Sequence, residues 1–495
     1  MFLGIDVGTQ SVKALLYDAD RRRVIDVRSA PLQLITAPDG TRAQLAAWWL
    51  TALGQCLANF TRADKASIQA IGVSGQQHGF VPLASDGEVL APVKLWCDTS
   101  TVAECAQITD RFGGQERCIS EVGNAILPGY TAPKILWLKN NLPDAYAKLT
   151  TILLPHDYIN FYLTGERAME YGDASGTAML DIRQRRWHEG MLAAVDPDRD
   201  LSTALPSLMS ADASMGRLHA KAASALGLPV GIPVASGGGD NMMSAIGTGN
   251  VSPGRMTVSL GTSGTVFASA DKPIIDPQGA VAAFCSSTGD WLPLVCTMNC
   301  TVSTELTRRL FTMSVSELEQ RVASTSAGSN GVMTVPFFNG ERTPNLPNAK
   351  GCILGLDETN YCPDNMLRSA MESAVYGLRA GLDTLRQLGC HIDTMRLTGG
   401  GAGSHVWRQM VSDVFDLPVS VQVLDEGAAL GAALQALWMF QHLQGEEAPL
   451  QVLLDEHLTL DPIRACMPNE HSVQGYRRLY GQYLHQVETI KTLYT

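Results

Sequence analysis

The segment Val234–Gly249 (VASGGGDNMMSAIGTG) places the carboxylate of Asp240 directly after three glycines and directly before a run of small residues. Glycine lets the backbone approach a ligand closely. A carboxylate in that setting can take a proton from a bound molecule. It can equally cap a helix that begins at Asn241. The segment alone is compatible with a ligand contact, with acid–base chemistry and with a helix start.

Two turns rich in glycine and threonine each lie between two apolar, strand-like segments. The first is Gly8–Ser11 in FLGIDVGTQSVKALLYD, and the second is Gly261–Gly264 in RMTVSLGTSGTVFASAD. Backbone N–H groups and a small hydroxyl, without side-chain bulk, suit the binding of phosphate. A plain hairpin turn is the simpler explanation of either copy taken alone.

Asp6 precedes the first of these turns by two residues. A carboxylate there could hold a hydrated Mg²⁺ ion near bound phosphates, because Mg²⁺ prefers oxygen ligands and keeps several waters. The alternative is a strand-end aspartate that only makes hydrogen bonds within the turn.

A third glycine cluster lies in LTGGGAGSHVWRQM, which runs from a short apolar strand into a helical pattern. Gly399, Gly400 and Gly401 would let a nucleotide lie against the backbone where the helix starts. The cluster lacks the glycine spacing of a dinucleotide-binding fingerprint and the acidic residue about twenty positions further on. A Rossmann-type dehydrogenase is therefore poorly supported.

The elements that must position these residues alternate along the chain between strand-like and helix-like patterns, which favours an α/β fold. The two Gly-Thr hairpins lie about half a chain apart, as expected of a duplicated architecture. Asn250–Arg255 (NVSPGR) has the composition of a connector between the halves. Near the C-terminus, the spacing of Leu479, Tyr483 and Val487 predicts an amphipathic helix packed on the body.

Composition limits the class of protein. A chain of 495 residues predicts two or three domains. Its net charge of -12 argues against a nucleic-acid or anionic-membrane partner. It contains no run of 18 apolar residues and starts without a basic leader, so we expect a cytoplasmic protein. The 11 scattered cysteines form neither a CxxC pair nor a zinc-type cluster, which predicts reduced thiols.

Several common enzyme classes lack their motifs in this sequence. There is no GxxxxGK[ST] loop, no HRD and DFG pair, no HExxH helix and no GxSxG elbow. What remains is an α/β protein of the two-lobed actin-like ATPase (ribonuclease H-like) type, with duplicated domains around a central cleft.

The chain also resembles a known family, the FGGY carbohydrate kinases, and among them the xylulokinases. The resemblance runs nearly from end to end and includes two longer segments, Gly129–Asn141 (GYTAPKILWLKNN) and Gly351–Ser373, which agree with the family's two signature patterns. The other matching segments are GIDVGTQSVKALLYD, SGQQHG, LLPHDYINFYLTGE, SGGGDN, SLGTSG, FNGERTP, GGGAGSHVWRQM and GAALGAA.

The resemblance implies an ATP-dependent kinase of a ketopentose, most simply D-xylulose, which it would convert to D-xylulose 5-phosphate. Residues 1–247 would form a mainly sugar-binding domain and residues 248–495 a mainly nucleotide-binding one. Asp240 would be the catalytic base, and Asp6 would assist catalysis and hold Mg²⁺. The sugar would contact Gln77, His78, Asp240 and Asn241. The nucleotide would contact Thr9, Gly261, Thr262, Gly400, Gly401 and Ser404.

Two departures from the xylulokinase pattern lie in segments that face the sugar in that family. Gln77 stands where those kinases usually have methionine before the histidine. Cys97 stands where they usually have asparagine, and the arginine that usually follows closely is replaced by Thr99 and Ser100. L-Xylulose, ribulose or another polyol therefore remains an alternative substrate. A sugar or nucleotide sensor without turnover, on the same fold, is a second alternative, and a homodimer is a possible assembly.

Overall fold

The computed structural model describes residues 1–424 and 426–494. The strands up to residue 239 are β1 (Phe2–Val7), β2 (Ser11–Asp18), β3 (Arg23–Pro31), β4 (Ile35–Thr36), β5 (Arg42–Gln44), β6 (Ala70–Gly75), β7 (Val81–Leu83), β8 (Val93–Lys94), β9 (Thr151–Leu153), β10 (Ala168–Glu170), β11 (Leu180–Asp181), β12 (Arg186–Trp187), β13 (Ser207–Met209), β14 (Ser214–Arg217), β15 (Pro233–Ala235) and β16 (Gly238–Gly239). The helices of the same half are α1 (Ala46–Ala58), α2 (Arg62–Ala66), α3 (Val102–Phe112), α4 (Gln115–Val122), α5 (Thr131–Asn141), α6 (Pro143–Ala147), α7 (Pro155–Thr164), α8 (Tyr171–Ala174), α9 (Glu189–Val195), α10 (Ala220–Leu226) and α11 (Asp240–Thr248).

The second half has fewer strands and longer helices. Its strands are β17 (Gly254–Leu260), β18 (Gly264–Ala268), β19 (Leu294–Thr297), β20 (Met333–Val335), β21 (Cys352–Leu354), β22 (Ile392–Thr398) and β23 (Val419–Val421). Its helices are α12 (Thr301–Leu310), α13 (Val315–Ser324), α14 (Pro363–Gln387), α15 (His405–Phe415), α16 (Gly427–Leu443), α17 (Leu450–His457) and α18 (Glu470–Lys491). Short 3₁₀ turns occupy Ser175–Thr177, Leu201–Ala204, Ser329–Gly331 and Gly400–Gly403.

The two halves repeat one sheet topology. In the first sheet the order is β14-β15-β6-β1-β2-β3, and in the second it is β19-β18-β17-β22-β23. In both, three consecutive strands form an antiparallel meander, and the first of them also pairs in parallel with a later strand. The Gly-Thr segments form the corners between β1 and β2 and between β17 and β18, so the predicted pair of hairpins is confirmed.

The strands β1, β6 and β17 are buried almost throughout because helices cover the faces of both sheets. The second half has a large core that includes side chains of β17, β22, α14 and α15. The predicted C-terminal helix, α18, adds the buried side chains of Tyr483 and Val487 to that core. Among the described residues, no helix combines the length and apolar character that crossing a membrane would require.

Helix α16 from the second half packs on the first sheet and crosses α11 at very short range. A Cβ atom built on Gly72 of β6 would lie 1.9 Å from the carbonyl oxygen of Ala432, and one built on Gly431 would lie 1.8 Å from that of Met243. No larger residue fits at either contact without moving the backbone. These glycines therefore set the distance between α11, α16 and the first sheet.

This contact predicts a specific loss of stability. In Gly431→Ala the added methyl group forces α11 and α16 apart, so we expect the free energy of unfolding to fall by about 2 kcal/mol or more. The melting temperature should drop by several degrees when followed by thermal unfolding. The matched control is Gly481→Ala on α18, where an added Cβ meets nothing within 4 Å and should be neutral or slightly stabilising. Equal melting temperatures for the two variants would contradict this account.

Candidate active site

A cavity of about 190 Å³ lies between the two sheets, and both halves of the chain line it. Its walls come from the two Gly-Thr corners, the segment after β6, the start of α11 and a loop between β20 and β21. The lining residues are Thr9, Gln77, His78, Trp96, Asp240, Asn241, Ser259, Gly261, Ser263, Thr265, Phe284, Leu294, Cys296 and Arg342. The cavity thus brings together all four residues predicted to bind the sugar and, of the six predicted to bind the nucleotide, Thr9 and Gly261.

Asp240 is the first residue of α11, and Gly239 is the N-cap. The interpretation of Asp240 as the cap of a helix beginning at Asn241 is therefore wrong by one position. The Oδ1 atom of Asp240 accepts hydrogen bonds from the backbone N–H of Asn241 at 2.9 Å and from its Nδ2 at 3.0 Å. A Cβ on Gly239 would lie 2.6 Å from Cγ of Gln77, so a glycine is needed beside the carboxylate.

The environment of Asp240 favours its protonated form. Burial raises the pKa of this carboxyl to about 8, and the negative charges of Asp6 and Asp173 add to the effect. The hydrogen bonds from Asn241 oppose the shift. A carboxyl that titrates near neutral pH, at the wall of a cavity, is suited to exchange a proton with a bound hydroxyl.

Asp6 lies near the end of β1, between two neighbouring strands. It is in register with Lys13 of β2 and Ser74 of β6, and its Oδ1 accepts a hydrogen bond from Oγ of Ser74 at 2.8 Å. Burial raises its pKa. Within residues 1–424 and 426–494, no three His, Cys, Asp or Glu side chains are grouped so that they could hold a metal ion. An ion at Asp6 would need water and phosphate oxygens as its other ligands, which is the usual coordination of Mg²⁺.

Thr9 is held in place by side chains that are distant in sequence. Its Oγ1 donates to Oε1 of Gln76 and accepts from Nε1 of Trp96, each at 3.0 Å. Its carbonyl oxygen accepts from Nε2 of Gln44 at 2.8 Å. The hydroxyl is therefore already engaged, so a phosphate at this corner would meet backbone N–H groups. Gln76 belongs to the SGQQHG segment and Trp96 directly precedes Cys97, but no local pattern predicts that Gln44, Gln76 and Trp96 converge on Thr9.

Gln77 is buried against the cavity and uses only half of its amide. Its Oε1 accepts a hydrogen bond from Nδ2 of Asn241 at 2.8 Å, and Oδ1 of Asn241 in turn accepts from Thr265 at 3.3 Å. The Nε2 atom of Gln77 has no hydrogen-bond partner among the described residues. A buried donor without a partner is costly, and a ligand oxygen in the cavity would satisfy it.

His78 occupies the left-handed backbone region, with φ of 65°. Its carbonyl oxygen accepts hydrogen bonds from Nζ of Lys134 at 2.8 Å and from Oγ1 of Thr131 at 3.2 Å. Its ring lies 5.0 Å from the ring of Tyr130 and 5.4 Å from that of Phe284. Burial, together with the positive charges nearby, lowers the pKa of His78. The imidazole is therefore neutral and can share a hydrogen bond with a sugar hydroxyl.

The residues predicted to bind the nucleotide gather at the end of β17. Gly261 lines the cavity and Thr262 is exposed beside it. A Cβ on Gly401 would lie 2.8 Å from Cβ of Leu260, so the third glycine cluster packs against the same strand end. Gly400 is exposed, and the hydroxyl of Ser404 caps α15 by accepting the N–H of Trp407. Gly400, Gly401 and Ser404 adjoin the cavity without lining it, and their role remains a prediction.

The cavity is also lined by residues that no sequence pattern assigned to the site, among them Phe284, Cys296 and Arg342. Arg342 lies in the FNGERTP segment, where an arginine between a glycine and a proline was a usable signal. Phe284 and Cys296 lie in apolar, strand-like sequence, where their types are ordinary.

The raised pKa of Asp240 makes stability depend on pH. In the unfolded chain this carboxyl loses its proton near pH 3.8, whereas in the folded protein it keeps the proton until about pH 8. Its contribution to stability is therefore complete at low pH and is lost as pH rises between these values. We expect Asp240→Asn, which has no charge to bury, to gain in melting temperature over the wild type as pH rises from about 4 to about 8. The control is Asp110→Asn, on the exposed surface of α3. If the melting-temperature difference between Asp240→Asn and the wild type does not change with pH, the carboxyl of Asp240 is not buried without compensation.

Comparison with known proteins places this site in context. The chain is 42% identical to the xylulose kinase of Haemophilus influenzae, over 98% of this chain and 99% of that relative. It is 32% identical to the xylulose kinase of Escherichia coli, over 100% of this chain and 98% of that relative. A solved structure described as a xyloylose kinase from Brucella ovis superposes with a TM-score of 0.90 at 28% identity, covering 99% of each chain.

The family models match both halves. Residues 1–247 match the N-terminal domain of the FGGY family of carbohydrate kinases, and residues 256–440 match its C-terminal domain. The predicted two-lobed, actin-like fold is confirmed by these matches and by the superposition over the whole chain. This chain belongs to the FGGY family of carbohydrate kinases.

Proposed function

We propose that this kinase transfers the γ-phosphoryl group of ATP to a ketopentose, with D-xylulose as the sugar and its 5-hydroxyl as the acceptor. The observation that carries the proposal is the position of Asp240. It lies at the wall of a cavity that the sugar-side residues and the Gly-Thr corners share, and its pKa is raised to about 8. The near full-length relatives from Haemophilus and Escherichia, both named xylulose kinases, support the choice of sugar.

In the proposed reaction, the Asp240 carboxylate accepts the proton of the attacking hydroxyl. The hydroxyl oxygen forms a bond to the γ-phosphorus while the bond from that phosphorus to the oxygen of ADP breaks, and ADP leaves with the electron pair. Asn241 holds the carboxylate by two hydrogen bonds to Oδ1, so Oδ2 is left for the substrate. Enclosure between the two halves would keep water from competing for the phosphoryl group.

We assign the sugar mainly to residues 1–247 and the nucleotide mainly to residues 248–495. The unpartnered Nε2 of Gln77 and the neutral ring of His78 support a polyhydroxyl ligand at one end of the cavity. Backbone N–H groups at the corners of Thr9 and Gly261 suit the phosphates at the other. Mg²⁺ would neutralise phosphate charge when bound, and Asp6 is the carboxylate we propose to hold it.

An ADP-release assay on a panel of sugars tests this function. With D-xylulose, L-xylulose, D-ribulose and L-ribulose as acceptors, we expect the highest kcat/KM for D-xylulose. In Asp240→Asn, kcat should fall by a factor on the order of a hundred to ten thousand, the usual contribution of a catalytic base, while ATP binding is retained. Asp110→Asn should turn over like the wild type. Wild-type turnover by Asp240→Asn would remove Asp240 from the mechanism, and ADP release with none of the sugars would favour a sensor.

Substitution of Gln77 tests how the enzyme selects its sugar. A buried amide left unpaired costs about 1–3 kcal/mol, so its donor should favour epimers that place an oxygen within reach. We expect Gln77→Met to change the ratio of kcat/KM values among the four ketopentoses while leaving the affinity for ATP nearly constant. Measuring both proteins on all four sugars gives the result. Ratios that move by less than about twofold, near 0.4 kcal/mol, would show that Gln77 does not discriminate between the sugars.

A further inference from the structure

The charges around the cavity are unevenly distributed. The buried carboxylates of Asp6 and Asp173 act on Asp240 through their negative charge. Among the described residues that line the cavity, Arg342 alone carries a permanent positive charge. Burial opposes the charge of Arg342, but the phenol of Tyr130, partly through a hydrogen bond, and the thiol of Cys296 raise its pKa overall. No carboxylate is among these influences, so the guanidinium at the cavity wall has no acidic partner among residues 1–424 and 426–494.

The loop that carries Arg342 is fixed by its neighbour, Glu341. The Oε1 atom of Glu341 accepts the backbone N–H of Met298 at 2.6 Å and that of Arg342 at 2.8 Å. Its Oε2 accepts from Nδ2 of Asn299 at 3.1 Å, and the same Nδ2 donates to the carbonyl oxygen of Gly340 at 2.7 Å. The Glu341 carboxylate thus accepts hydrogen bonds from backbone N–H groups and from a side-chain amide. It anchors the loop to the end of β19 and does not engage the guanidinium of Arg342, which makes a side-chain hydrogen bond with Tyr130 and has further donors for a ligand.

Arg342 lies on the sugar side of the cavity. Its guanidinium lies over the ring of Tyr130, 5.5 Å from the ring centroid, and Tyr130 packs against His78. Its charge contributes to lowering the pKa of His78. Arg342 therefore adjoins the residues proposed to bind the sugar.

We propose that Arg342 is a specificity-determining residue that donates hydrogen bonds to the carbonyl oxygen of an open-chain ketose. This inference rests on the proposed function and adds the residue that would recognise the ketose carbonyl. A guanidinium only donates, and a carbonyl oxygen only accepts. A hydroxyl at the same carbon would have to direct its proton away from a group that has no acceptor. Gln77, His78 and Asn241, which both donate and accept, suit the remaining hydroxyls.

A guanidinium is also a good ligand for phosphate. The phosphate interpretation is less favoured, because Arg342 lies against Tyr130, which packs on His78, whereas the phosphates are assigned to the corners of Thr9 and Gly261. It makes a different prediction. A phosphate contact would be lost equally for every sugar and would weaken the binding of the nucleotide.

Equilibrium binding tests the proposal without relying on turnover. Calorimetry would measure the affinity of the wild type, Arg342→Gln and Arg342→Lys for three ligands. These are D-xylulose, xylitol, which differs by reduction of the carbonyl, and a non-hydrolysable ATP analogue. We expect the wild type to prefer D-xylulose by about tenfold or more. Arg342→Gln should lose at least about tenfold in affinity for D-xylulose and less than about threefold for xylitol. Arg342→Lys, which keeps the charge but not the planar fork, should fall between them and serves if the glutamine variant does not fold.

The matched control is Arg167→Gln. The guanidinium of Arg167 also lies over an aromatic ring, that of Phe161 at 5.3 Å, but at an exposed position outside the cavity. It should leave both sugar affinities unchanged. Equal losses for D-xylulose and xylitol in Arg342→Gln, or no ketose preference in the wild type, would overturn the proposal. A loss confined to a non-hydrolysable ATP analogue would also overturn it and assign Arg342 to the phosphates. Because ketose preference is measured by binding, it can hold even if the sugar panel shows no turnover.

Discussion

The close approach of α16 to α11 and to the first sheet is the constraint on which the rest of the structure depends. Each half contributes a Gly-Thr corner at the end of its first strand, and the two corners form one site only if the sheets are held close together. This distance is possible because no Cβ atom is present at Gly4, Gly72, Gly247 and Gly431. Helices and strands with side chains at these positions would have to lie further apart. The apolar core that includes Met243, Ile246 and Leu430 fills the space around the contact.

The carboxylates of the proposed active site impose a second constraint on the structure, and this one is electrostatic. The pKa of each of Asp240, Asp6 and Asp173 is raised mainly by burial. Asp173 has a basic partner in Nδ1 of His156 at 2.8 Å, and the charge of Lys13 favours the carboxylate of Asp6. The charge of Asp240 is not offset in this way, so the free protein is less stable than its packing alone would allow, as is common where a site must hold charge ready for a ligand. If a cation or a sugar hydroxyl binds as proposed, it would relieve part of that cost.

The sequence could predict features that depend on local pattern. Both hairpins, the helix containing Tyr483 and the cavity position of Asp240 follow from glycine placement and from hydrophobic periodicity. Contacts between distant segments could not be predicted in this way. The hydrogen bond from Trp96 to Thr9 spans 87 residues, and the local pattern that marks Thr9 as part of a Gly-Thr turn does not identify Trp96 as its partner. The cap of α11 was misplaced by one residue because Asp240 resembles a capping residue in type, whereas Gly239 has the extended backbone that a cap requires.

The glycine contacts also bear on how a saturation mutagenesis experiment in this enzyme would be interpreted. Positions such as Gly72 and Gly431 do not line the cavity, yet larger residues there should reduce growth that depends on the kinase, as replacement of Asp240 is also expected to do. A measurement of growth alone would therefore not distinguish the glycines of the helix contact from the residues of the active site. Measuring the amount of folded protein in the cell would separate the two groups. Substitutions at the helix contact should lower the amount of enzyme that accumulates, whereas substitution of Asp240 is expected to lower the activity of each molecule.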